Sequence, residues 1–258
     1  MVHTNYFFGD SFIGPFTLLA NKKNQIIKYS GATAKGLTKI DNPNRQDILN
    51  FVSLIRKNDI LFFNFGQVDI NFSYFYKWNA TGEELNYKKF IKPIVKEYVK
   101  FISQLKTKNI YIIYVYPTII KDQFADVLLK YRILDNESKI LRDINKISFV
   151  YRQKMAIYFN NCIEKYCKRY GVNTLSLWPH IMKDDYNVDE KYINTISKNS
   201  IHLLYEPLIL TLFEKGILQK FGIKRSDLKM NIETTLNNYV KQVDKKYKLI
   251  AITSNNKN

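Results

Sequence analysis

The chain has 258 residues, enough for one large α/β domain or two small ones around a sizeable core. Hydrophobic residues make up 46% and aromatics 15% of it, which excludes a disordered chain, and no apolar run approaches the roughly 18 uncharged residues of a membrane span. Its 40 Lys and Arg against 23 Asp and Glu give a net charge of +17, suited either to an anionic partner or to a Lys- and Asn-rich proteome. The lysines are spread along the chain and match no basic zipper, RNA-recognition signature or zinc finger, so nucleic acid is not expected as a partner.

The opening Met-Val-His-Thr-Asn leads directly into a strand-like run without the charged and apolar segments of a signal peptide, and an intracellular product is the expectation. Apolar β-type runs then occur at residues 3–8, 25–30, 59–65, 109–116 and 172–177. Several are continuously apolar, the pattern of strands buried on both faces of a mainly parallel sheet. Between the third and fourth, Phe90, Ile91, Ile94, Val95, Tyr98, Val99, Ile102 and Leu105 recur at three- and four-residue steps, the stripe of a helix packed on a sheet. A second long helix is predicted over about residues 148–170, with Gly171 as its C-cap. Strand and helix alternating in this way predict a three-layer α/β/α sandwich with a five-stranded sheet, flavodoxin-like in plan. Residues 66–86 and 117–147 read as long connections, each a candidate wall of a pocket. Residues 1–219 form the predicted domain, and 220–258 a basic appendage with a polar tail.

Cys162 and Cys167, five apart in the second helix, fall on different faces and are expected as buried thiols. With three histidines and no Cys/His cluster, no metal or other cofactor is expected.

Short polar sequences sit at the predicted strand ends. Gly9-Asp10-Ser11 follows the first, Ser30-Gly31-Ala32 the second and Gly66-Gln67-Val68-Asp69 the third, and Asn199-Ser200-Ile201-His202 comes much later. Gly-Asp-Ser alone is also an ordinary turn and N-cap sequence. In this order over residues 5–210, the four pieces resemble the sequence blocks of the SGNH, or GDSL-type, hydrolases.

The resemblance implies a serine esterase or acylhydrolase with Ser11 as nucleophile and His202 as general base. A serine hydroxyl needs such a base near neutral pH, and a neutral imidazole can take its proton and return it to the leaving group. The oxyanion would be held by the backbone amides of Ser11 and Gly31. Two positions depart from the family pattern. Val68 stands at the place of the usual asparagine donor, with Gln67 as a candidate substitute, and Asn199 replaces the aspartate that orients the histidine. Asn199 could orient the ring itself, Asp184, Asp185 or Asp189 could do so, or the enzyme could be weakened. Asp69 could bind a substrate hydroxyl or hold its loop. His3 and His180 lie in no block and read as structural.

The implied substrate is a small-molecule or glycan ester. The aromatic string Phe72, Tyr74, Phe75, Tyr76 and Trp78 inclines the reading towards a carbohydrate O-acetyl ester, although burial of part of it in a loop core competes. Lys35 and Lys77 add positive charge beside the crevice. The alternative is an SGNH-like scaffold that binds a glycan or other anionic partner without efficient turnover. Oligomeric state is not legible in the sequence.

Overall fold

In the computed structural model, five parallel strands form one sheet in the order β2-β1-β3-β4-β5, where β1 is Asn5–Gly9, β2 Asn24–Lys28, β3 Ile60–Asn64, β4 Ile110–Ile113 and β5 Asn173–Leu175. The structure describes residues 3–228 except 84, 106, 108 and 194–199. Helices α1 (Ala34–Leu37), α2 (Pro43–Ser53), α3 (Tyr74–Thr81), α4 (Tyr87–Ser103), α5 (Phe124–Lys130), α6 (Ile144–Ile147), α7 (Phe149–Tyr170), α8 (Trp178–Ile181) and α9 (Tyr205–Glu214) make up the outer layers with several 3₁₀ turns.

Adjacent phenylalanines on β1 face opposite ways, because strand side chains alternate. Phe7 stacks on its register partner Phe62 at 4.5 Å and on Phe16 at 4.7 Å, while Phe221 closes edge-on over Phe62. On the other face Phe8 stacks on Phe63 at 5.1 Å and meets Phe51 of α2 edge to face. The sheet is therefore covered on both sides, as its apolar runs require. Phe221 and Ile223 are buried, and the Phe221 carbonyl is hydrogen-bonded to His3 and Asn5, so residues 220–228 of the basic appendage belong to the fold. From residue 229 the appendage lies outside the described residues.

The predicted helix stripe is α4, which buries Phe90, Ile91, Val95, Tyr98, Val99 and Ile102. Helix α7 ends at Gly171 in the left-handed conformation. Both cysteines are free and buried.

Both long connections contain helix. Residues 66–86 carry a π-turn at Asp69–Ser73 followed by α3, and 117–147 carry α5, a 3₁₀ turn and α6. The reason is burial: Tyr74, Phe75 and Trp78 are spaced for one helical face, and Phe75 meets Phe124 of α5 at 5.4 Å. Polar side chains of α7 fix the chain after β4. Asn160 exchanges two hydrogen bonds with the backbone of Val115, and Gln153 accepts from the Thr118 amide at 2.9 Å. Such buried backbone groups need partners, and α7 supplies them from the side.

Candidate active site

In this strand order β1 and β3 flank the point where chain connections turn to opposite sides, and ligand crevices form at the carboxyl ends of such strands. Gly9 ends β1 opposite Asn64 of β3, and the Asp10 amide donates to the Asn64 carbonyl. The Asp10 carboxylate caps the 3₁₀ helix Ser11–Leu19 by accepting from the Phe12 amide at 2.9 Å. Ser11 is thus the first residue of a helix that leaves the sheet at its ligand edge.

A groove of about 790 Å³ opens there, a volume suited to a small-molecule ligand. Ser11, Gly31, Val68 and His202 all line it. Among the described residues, no hydrogen bond engages the Ser11 or Gly31 amide. Gly31 has φ +76°, a conformation that favours glycine, and a side chain there would point into open space. A ligand oxygen can therefore approach that backbone.

His202 precedes α9, and its ring lies against Phe12 at 4.3 Å between centroids. Burial, with a smaller contribution from Lys28, pushes its pKa down to about 4, so the imidazole is neutral over most of the pH range. Among the described residues no hydrogen bond of 3.5 Å or less joins it to Ser11, a loose geometry common in ligand-free sites. Asn199 lies outside the described residues. Asp184 is engaged in its own turn, accepting from the Tyr186 and Asn187 amides, and Asp189 caps the short helix Glu190–Tyr192. His180 is not among the groove's lining residues.

The third block behaves differently at each position. Gly66 has φ +121°, and a Cβ there would meet the Phe159 ring at 2.3 Å. Gln67 turns away from the groove, since its Oε1 accepts from the Tyr116 amide at 2.8 Å and it lines a separate small cavity. Val68, which has no side-chain donor, lines the groove. Asp69 is fully buried and accepts from the amides of Ala34 at 2.6 Å and Lys35 at 3.1 Å, which ties the third block to the glycine block.

Two buried carboxylates, Asp10 and Asp69, lie close to Ser11. Desolvation pushes Asp10 up to about 8, with Asp69 adding like-charge repulsion, and pushes Asp69 up to about 7. The hydroxyls of Tyr98 and Tyr116 are buried near Asp10 without hydrogen-bond partners among the described residues.

Of the aromatic string, Tyr74, Phe75 and Trp78 are core, whereas Phe72 and Tyr76 line the groove. Tyr131 faces Phe72 at 5.1 Å and, with Ile133, forms a wall that no sequence motif marks. The only signal for it was the length of the connection after β4. Lys35 and Lys77 also reach the groove.

No protein-family model and no curated protein matches the chain. Among solved structures it is similar to a GDSL-like lipase from Bacteroides thetaiotaomicron, at 12% identity over 84% of this chain and 88% of that one, with a TM-score of 0.47. The aryl esterase of M. smegmatis matches at 11% identity, 86% and 100% coverage and a TM-score of 0.47. A carbohydrate acetylesterase from Sinorhizobium meliloti matches at 12% identity, 86% and 100% coverage and 0.46. Among the described residues, no helix is long and apolar enough to cross a membrane, and no group of three or more His, Cys, Asp or Glu could hold a metal ion.

Proposed function

We propose that the chain is a serine esterase of SGNH type that hydrolyses an acyl ester. The observation that carries this reading is that Ser11, the free Gly31 amide and His202, distant in sequence, line one ligand-sized groove at the sheet's switch point. Ser11 Oγ attacks the acyl carbonyl as its proton passes to His202. The Ser11 and Gly31 amides receive the developing oxyanion. His202 then protonates the leaving alcohol, and water releases the acyl group by the same route in reverse. With Gln67 turned to Tyr116, the oxyanion site has two donors and Val68 stands where a third would be.

Phe72, Tyr76 and Tyr131 line the groove, and such aromatic walls favour an ester carried on a sugar over a long acyl chain. A binding-only reading draws on Val68 and on the lack of a bond between Ser11 and His202. Fluorophosphonate labelling separates the two: the esterase is expected to label at Ser11 and to cleave p-nitrophenyl acetate. Loss of both in Ser11→Ala and His202→Ala completes the case, and no labelling with no turnover in the unmodified chain would overturn it.

A further inference from the structure

Beside the groove lies a second, small and partly enclosed cavity with a different chemistry. Gln67, Asn71, Thr118, Phe124, Arg152 and Ile201 line it, and it gives the centre of a water-sized sphere about 10 Å³, room for one water or one ion of similar size. Arg152 is 3% exposed. Its Nε donates to the Ile147 carbonyl at 3.0 Å, and its two Nη groups donate to Thr118 Oγ1 and the Ile120 carbonyl. The guanidinium stacks over Phe124 at 4.0 Å.

All of these partners are neutral, and among the described residues no carboxylate pairs with Arg152. Three of its five N–H groups are used, so donors remain. A buried guanidinium without a counter-charge is strongly disfavoured unless something supplies one. The side chains of Gln67 and Asn71 can add amide donors. With Gln67 Oε1 fixed by the Tyr116 amide, its Nε2 group is left for the cavity. Asn71 is 6% exposed, and among the described residues its side chain has no hydrogen-bond partner. A buried positive charge, two amide side chains able to donate and a volume of about one atom point to a small monatomic anion, since phosphate or a carboxylate ligand is too large.

We propose that this cavity binds a single halide ion, chloride under ordinary conditions, as the counter-charge of Arg152. The ion would join the turn after β3, the chain after β4 and Ile201. Because Ile201 lines both cavities and precedes His202, an occupied site also steadies the wall that carries the base.

The test is thermal unfolding of the full chain in sodium chloride, bromide or gluconate at one ionic strength. Chloride and bromide are expected to give a saturable rise in Tm of about 2–4 °C over gluconate. A crystal grown in bromide should show anomalous density in the cavity. Asn71→Asp places a carboxylate beside Arg152 and should remove the halide increment while leaving the Tm in gluconate unchanged or higher. Equal Tm values in the three salts, a cavity holding water alone in bromide, or an undiminished halide response in Asn71→Asp would overturn the proposal. Should Asn71→Asp fail to fold, the salt series and the bromide density decide.

Discussion

The carboxylate of Asp69, in the turn after β3, accepts a 2.6 Å hydrogen bond from the backbone amide of Ala34, the first residue of α1. This bond, with its neighbour from Lys35, makes Asp69 the brace between two blocks of the groove. Asp69→Ala leaves two amides unpaired where the carboxylate was buried. A loss of about 2–6 kcal/mol is expected from denaturant unfolding, at about 1–3 kcal/mol for each of the two orphaned groups. Turnover should fall as well, because the brace positions Gly31. A stability change below about 1 kcal/mol would show that the brace is dispensable.

Val68 lines the groove at the position where, in the proposed esterase, a side-chain amide would complete the oxyanion site. Removing one such donor from a well-studied protease costs about 10²–10³ in turnover, so adding one should recover part of that. Val68→Asn is expected to raise kcat by about 10-fold or more with little change in KM. An unchanged or lower kcat in a folded variant would mean that the side chain at this position does not reach the oxyanion.

In the proposed esterase, protonation of His202 sets the acid side of the pH profile. A base works when neutral, and burial holds this ring neutral down to about pH 4, below the 6.5 of an unperturbed histidine. The profile of kcat/KM should therefore stay level from pH 8 to about 5 and fall near 4, with circular dichroism recorded alongside to separate unfolding. An acid limb centred at 6 to 7 would contradict this account of the ring's environment.

Asp10 makes the opposite contribution to stability. Its folded pKa of about 8 lies above the ordinary 3.8, so the folded state holds a proton that the unfolded chain releases. The resulting stabilisation is fully present below pH 3.8 and is lost as the pH rises towards 8. Asp10→Asn keeps an acceptor for the Phe12 amide but cannot titrate. Its stability curve between pH 4 and 8 should be flatter, by up to about 1.4 kcal/mol per pH unit for one proton. Parallel curves for the two proteins would refute the assignment of a buried, protonated Asp10.

The five apolar runs, the α4 stripe and Gly171 were legible because strand and helix periodicities are local properties of the chain. So was the order of the short polar blocks, which placed Ser11, Gly31 and His202 at strand ends or loops before any contact was known. Local pattern did not reveal which way a side chain turns once its segment is packed. Gln67 and Val68 are neighbours, yet the Tyr116 amide draws Gln67 away and leaves Val68 in the groove. Phe72 and Tyr76 look like Tyr74 and Phe75 in sequence, and only α3 packing against α5 separates groove from core. Asp69 accepts from the start of α1, 35 residues earlier, a contact no local pattern marks. The amino-acid sequence determined the sheet and the order of the loops at its carboxyl edge, through periodic burial of apolar side chains. Tertiary structure decided which polar groups face ligand, backbone or a buried charge, because those choices depend on partners supplied by distant segments.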